Sequence, residues 1–196
     1  MLYKTNYQSP IGPIIILAND SGLLGAWYEN QEHFAGTFDL DRAEVIEKPS
    51  DQPILKQATD WFDAYFDGQN PSVKDLPLMP QGTAFQQEVW AELTKVGYGE
   101  TISYQELADR VAARQTKGRG SARAVGGAVG RNPISIMIPC HRVIATNGNL
   151  TGYAGGIDKK ITLLKIEGIT PKIQKAIAIH GDQNHSRSNK TYIQSL

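Results

Sequence analysis

The chain has a single cysteine, Cys140, in 196 residues. One thiol excludes an intramolecular disulfide framework and leaves too few thiolates for a cysteine-based zinc site, so no metal is expected. It also fits a reducing compartment, cytoplasmic, or nuclear if the source is eukaryotic. Net charge is missing too, since 20 lysines and arginines balance 20 aspartates and glutamates. The molecule therefore lacks the strong positive field of many nucleic-acid binders, and any polyanion site must be a local patch. A membrane span is not expected: the apolar run at residues 11–18 is far shorter than the roughly 20 residues that a bilayer requires. The polar start, which carries Lys4, does not read as a signal peptide. No internal repeat is visible, and a hydrophobic fraction of 40% is ordinary for a soluble globular chain.

The length allows one sizeable domain or two small ones sharing an interface. Residues 9–18 are largely apolar, Asn19-Asp-Ser-Gly22 follows as a turn, and Leu23-Leu-Gly-Ala-Trp-Tyr28 resumes the apolar pattern, which predicts a β-hairpin. In residues 53–68, Ile54, Leu55, Ala58, Trp61, Phe62 and Tyr65 recur at three- and four-residue spacings, an amphipathic helix ended by Gly68. Pro71, Pro77, Pro80 and Gly82 then interrupt both periodicities and mark a boundary. Beyond it, Thr83 is placed to cap a helix bearing Phe85, Val89, Leu93 and Val96. Ser103 with Glu106 forms a capping box for a helix carrying Leu107, Ala108 and Val111. A short helix is expected over residues 121–129, and a further turn or two over residues 161–167. Two short helices in succession suggest a helix-turn-helix. The expected organisation is an α/β unit at 1–80, a mostly helical unit at 81–170 and a flexible tail at 171–196, polar and unpatterned from residue 180.

The stretch Asn132-Pro-Ile-Ser-Ile-Met-Ile-Pro-Cys-His-Arg-Val-Ile144 carries the chemistry. A lone cysteine is more often an inert core residue than a nucleophile. Here Pro139 fixes its own φ and biases Ile138 toward extended backbone, which holds the thiol on a defined frame. A thiol attacks as thiolate, so it needs a base; His141 is in place to accept the proton and Glu167 to orient the imidazole.

These residues resemble the O6-alkylguanine-DNA alkyltransferase family, on the core Pro139-Cys140-His141-Arg142-Val143. The resemblance continues through Gly99-Glu-Thr-Ile-Ser-Tyr104, Ser121-Ala-Arg-Ala-Val-Gly-Gly127, Asn132-Pro133, Thr151-Gly-Tyr-Ala-Gly-Gly156 and Leu163-Leu-Lys-Ile-Glu-Gly168. It implies a small ribonuclease H-like α/β domain followed by a mostly helical domain of winged helix-turn-helix type. It also implies a monomer, without cofactor, acting once on double-stranded DNA that bears O6-alkylguanine, with O4-alkylthymine a further candidate substrate.

By that resemblance Cys140 is the alkyl acceptor, His141 deprotonates it through a water held by Glu167, and Tyr104 donates to the flipped guanine. Asn132 supports the active-site turn. Arg123 is the finger that fills the space left by the extruded nucleotide, on a helix whose Ala122, Ala124 and Gly126 fit either close approach to DNA or tight helix packing. Val143, Tyr153, Ala154 and Gly155 are placed around the base, with Ala154 at a position often serine in the family. Arg142 is assigned to a structural ion pair. The segment at 113–120 is longer than the family's usual turn; its Arg114, Lys117 and Arg119 are expected to touch phosphates. Two other functions compete. An alkyltransferase-like binding module flips the base without accepting the alkyl group, but its members replace the cysteine. A cysteine hydrolase is suggested by the Cys-His pair, yet adjacent residues on an extended segment point apart.

Overall fold

The structure is a computed structural model, and it describes residues 1–115 and 120–169. Lys117, Arg119 and the tail at 171–196 lie outside the described residues. The chain opens with β1 (Leu2–Ser9), which the sequence reading missed, paired antiparallel with β2 (Gly12–Asn19). Only Thr5 of β1 is buried, so its apolar signal is weak, and pairing rather than patterning makes it a strand. The expected hairpin joins β2 to β3 (Leu23–Tyr28) through a turn in which the Asn19 side chain accepts from the Ser21 and Gly22 amides. A short parallel strand, β4 (Glu44–Val45), completes a mixed sheet of order β3-β2-β1-β4.

The two-residue periodicity of strands sorts the side chains onto two faces. Ile14, Ile16, Ala18, Leu23, Ala26 and Tyr28 face α1 (Pro53–Phe66), which lays Leu55, Ala58, Trp61, Phe62 and Tyr65 against them. Leu17, Leu24 and Trp27 face the other way, under Phe34, Phe38, Leu40 and Ala43 of the loop after β3. Each fully buried large side chain contributes about 1.5–3 kcal/mol. Pro53 presets the first helical φ of α1, and the Gln52 side chain caps the Leu55 amide.

The second part is helical. Thr83 and Gln86 form a capping box on α2 (Ala84–Leu93), as Ser103 and Glu106 do on α3 (Tyr104–Arg114), and Ser121 caps α4 (Ala122–Gly130). The last helix, α5 (Ile157–Ile166), starts a turn earlier than its sequence pattern suggested. Strands β5 (Ile102–Ser103) and β6 (Val143–Ile144) pair in parallel beneath these helices. Gly120 makes the α3–α4 corner possible: a Cβ there would sit 2.0 Å from the Ala108 carbonyl oxygen. Trp90 Nε1 ties α2 to α4 by donating to the Ala128 carbonyl at 2.9 Å.

One continuous core runs through both parts, so the two are not packed independently. The outer edge of β3 is the seam. Leu23 exchanges backbone hydrogen bonds with Pro77 and Met79, and Ala26 with Pro133 and Ser135, so the edge strand is capped by the connecting segment and by the stretch leading to Cys140. Among the described residues, no helix is long and apolar enough to cross a membrane.

Candidate active site

From the seam at β3 the chain reaches Cys140 through a tight and partly strained path. Ile136, a β-branched residue, is held at φ 72, a conformation that costs on the order of 1–3 kcal/mol and persists only where surroundings enforce it. Those surroundings are a nearly closed core position and the Ile138 amide, which donates to the Ile134 carbonyl at 3.1 Å. Pro139, at φ −82 and ψ 63, makes an inverse γ-turn in which the Cys140 amide donates to the Ile138 carbonyl at 2.8 Å. Residues Cys140–Arg142 then form a turn of 3-10 helix, not the extended segment expected. The γ-turn redirects the chain immediately before the cysteine, where periodicity carries no signal.

Cys140 is 5% exposed, and its Sγ accepts from Asn132 Nδ2 at 3.1 Å. The same Nδ2 donates to the Ile138 carbonyl at 2.7 Å, while Asn132 Oδ1 accepts from the Ile134 amide. One buried side chain thus fixes both ends of the 132–140 loop and the thiol itself. Burial pushes the Cys140 thiol above its ordinary pKa, against the opposing effects of the Asn132 hydrogen bond and the Lys160 charge. At neutral pH it stays protonated and needs a base.

His141 is fully buried, with Nε2 2.6 Å from Glu167 Oε1. Its Nδ1 is also buried and has no hydrogen-bond partner among the described residues. Desolvation keeps the imidazole below its ordinary pKa and neutral, overriding the pull of Glu167. A neutral ring that donates from Nε2 leaves the Nδ1 lone pair to accept a proton. Arg142 forms the structural ion pair expected of it: Nε donates to Glu167 Oε2 at 2.9 Å, Nη2 to Oε1 at 3.0 Å, and Nη1 to the Val96 carbonyl at 2.5 Å. Burial acts to raise the Glu167 pKa, but the hydrogen bond from His141 and the hydrogen bonds and charge of Arg142 outweigh it and bring it down to about 2.

Above the thiol lies a small cavity of about 130 Å³, bounded by Tyr104, Gly126, Val129, Tyr153, Ala154 and Glu32. It is smaller than the roughly 300–1,000 Å³ of drug-sized sites and suits one planar ring. Larger grooves exist elsewhere, among them one of about 730 Å³ along α2 and one of about 700 Å³ between Trp27 and Trp90, and Cys140 lines neither. Tyr104 opens α3, and burial raises its phenol pKa, so it remains a donor. Arg123 stands exposed near the start of α4 and, among the described residues, has no ion pair. On that helix Val125, Ala128 and Val129 enter the core, while Ala124 is exposed and Ala122 and Gly126 are half-buried.

Three expectations are corrected. Val143 does not border the cavity: it is fully buried in β6 opposite Ile102, and its carbonyl accepts from Lys160 Nζ at 2.6 Å. Gly155 makes room for the protein itself, since a Cβ there would lie 2.5 Å from the Tyr28 ring. Arg114 belongs to the last turn of α3 rather than to a free loop, and its Nη1 is bound to Glu92 Oε1 at 2.8 Å.

The sequence reading also missed four contributors. Tyr65 belongs by spacing to the apolar stripe of α1, yet its hydroxyl donates to Glu167 at 2.7 Å. Tyr28 meets the Tyr153 hydroxyl at 3.1 Å. Glu32 reaches the cavity rim, its amide donating to the Ala154 carbonyl at 3.3 Å. Lys160 is fully buried and donates to the carbonyls of Val143, Thr151 and Gly152, pinning the cavity loop to β6. Its signal was legible: Ile157, Ile161 and Leu164 make the helical stripe that Lys160 interrupts, and a lysine on a buried face needs partners.

Two family models cover nearly all of the described chain. Residues 2–80 match the 6-O-methylguanine DNA methyltransferase ribonuclease-like domain, and residues 84–169 match the DNA binding domain of the same enzyme. The chain belongs to the 6-O-methylguanine DNA methyltransferase family. The mixed sheet with α1 is that family's ribonuclease-like domain, and the helices after it form its DNA-binding domain. Curated relatives agree. A methylated-DNA–protein-cysteine methyltransferase of Haemophilus influenzae is 38% identical over 174 residues, 89% of this chain and 90% of that protein. One from Methanosarcina acetivorans is 38% identical over 181 residues, 85% of this chain and 99% of that protein. Among solved structures, Mycobacterium tuberculosis OGT in complex with DNA superposes with a TM-score of 0.71 at 39% identity, covering 84% of this chain and 92% of that one.

Proposed function

We propose that this methyltransferase-family protein repairs DNA directly, moving a methyl or other alkyl group from O6 of guanine to Cys140, once per molecule. The observation that carries the reading is an Asn132-held thiol at the floor of a ring-sized cavity, next in the chain to a buried imidazole whose Nδ1 has no partner among the described residues. The target base leaves the double-stranded DNA stack to enter the cavity, at a cost of about a few kcal/mol. Arg123 offsets part of that cost by filling the gap, with α4 against the DNA. Phosphate contacts from the 113–120 segment fall to Lys117 and Arg119, with Arg114 already paired to Glu92.

In the transfer step the thiol proton passes through a water molecule to His141 Nδ1, and Glu167 stabilises the resulting imidazolium. Sulfur attacks the alkyl carbon as the O6–carbon bond breaks. Tyr104 donates a hydrogen bond to the departing guanine, which takes up one proton from solvent, and His141 returns one to solvent. The products are an ordinary guanine and a thioether. No group in the site hydrolyses a thioether, so turnover stops at one. The protein acts as a monomer in the reducing cytoplasm, where the thiol stays free.

Incubation with an O6-methylguanine duplex followed by intact-mass measurement tests this. One methyl mass per chain, localised to Cys140 and absent in Cys140→Ser, is the expected result. Multiple turnovers, or repair surviving in Cys140→Ser, refutes the reading.

A further inference from the structure

The relay at Cys140 is completed from outside the DNA-binding domain. Tyr65, in the last turn of α1, is fully buried, and its ring stacks on Trp61 at 5.3 Å and meets His141 edge-on at 6.4 Å. Its hydroxyl lies 2.7 Å from Glu167 Oε1 and 3.5 Å from His141 Nε2. That oxygen therefore receives three donors: the Tyr65 hydroxyl, His141 Nε2 at 2.6 Å and Arg142 Nη2 at 3.0 Å. Packing of the Tyr65 ring between Trp61, Phe66, Tyr98 and His141 leaves the hydroxyl little freedom to turn elsewhere.

We infer that Tyr65 is a positioning residue of the alkyl-transfer relay: its hydroxyl fixes Glu167 against Nε2 of His141, so that the imidazole keeps its proton on Nε2 and presents Nδ1 to the thiol. The inference rests on the alkyl-transfer reading above and extends it, because it makes the ribonuclease-like domain part of the chemistry rather than a passive scaffold. The physical logic is a shared charge. A carboxylate oxygen that already holds a phenol and a guanidinium offers less negative potential to the imidazole, which keeps the ring neutral and able to act as base. The other groups facing this cluster are the Gly99 amide on Glu167 Oε2 at 3.3 Å, Tyr98 beside Arg142, Tyr28 toward Tyr65, and the Lys160 side chain toward His141. Deleting the hydroxyl leaves more negative charge facing the ring, stabilises imidazolium and moves the acidic limb of the transfer rate to higher pH.

The test uses the full chain with Tyr65→Phe, Glu167→Gln and the double variant. Single-turnover transfer from an O6-methylguanine duplex is followed across pH, and the His141 tautomer is read from its ¹⁵N shifts. Tyr65→Phe is expected to slow transfer about three- to tenfold at neutral pH and to raise the acidic midpoint by about half a unit or more. Both effects should vanish in the Glu167→Gln background. A pH profile and ¹⁵N shifts unmoved by Tyr65→Phe overturn the inference, as does a wild-type His141 protonated on Nδ1, a measurement that stands even if the variant does not fold. Failure of the wild type to accept any alkyl group would instead remove the functional reading, leaving the tautomer and its response to Tyr65→Phe to decide the contact.

Discussion

Arg142→Met isolates the largest electrostatic debt in the site. Arg142 is 9% exposed and Glu167 4%, and the guanidinium supplies two of the donors that keep the carboxylate ionised. Removing one partner of a buried pair typically costs about 3–5 kcal/mol, because the other charge remains buried. His141 and Arg142 together hold the carboxylate at a pKa of about 2 against an ordinary 4.5, roughly 3 kcal/mol at about 1.36 kcal/mol per unit, of which the guanidinium supplies a part. The folded-state value is the lower one, so this stabilisation is fully present above the unfolded-state pKa and is lost as pH falls toward the folded one. Urea unfolding at pH 7 should therefore show the variant destabilised by about 3–5 kcal/mol, and its melting temperature lowered by about 6–20 °C for a chain of this size. The gap between wild type and variant should narrow as pH drops from about 5 toward 2. A loss under about 1 kcal/mol at pH 7, or one equally large at every pH, would refute the argument.

Asn132→Ala leaves the buried Ile134 amide without its partner and takes one of two donors from the Ile138 carbonyl, so denaturant unfolding should show a loss of about 1–3 kcal/mol, and single-turnover assays slower alkyl transfer. Ser103→Ala removes half of the capping box on α3; calorimetry should record about 1 kcal/mol of destabilisation. Arg123→Ala changes an exposed side chain, so stability should stay within about 0.5 kcal/mol, while transfer from duplex DNA slows and reaction with the free alkylated base does not.

The helices of this protein were readable because their signals are local. Thr83 with Gln86 and Ser103 with Glu106 satisfy amides three residues away, and the stripe from Leu55 to Tyr65 depends only on helical pitch. The nucleophile was readable for a similar reason, since Pro139, Cys140, His141 and Arg142 are contiguous. Other features had no local signature. β1 carries few apolar residues and is a strand because β2 and β4 pair with it on either side. Val143 and Gly155 belong to the right segments, but which face they present is set by Ile102, Lys160 and Tyr28, all distant in sequence.

What the sequence determined by itself was a set of helices with their ends, one nucleophile and its immediate neighbours, because hydrogen bonds within three or four residues and the period of a helix are written in consecutive side chains. What only the tertiary structure decided was the environment that makes those residues reactive. The edge of β3 captures Pro133 and Ser135 and aims the turn to Cys140, Tyr65 and Arg142 converge on Glu167, and Lys160 anchors the cavity loop. These contacts join groups from 8 to more than 100 residues apart, beyond the reach of a helical turn, and burial, which sets their protonation, exists only once the sheet and the helices have closed on one core.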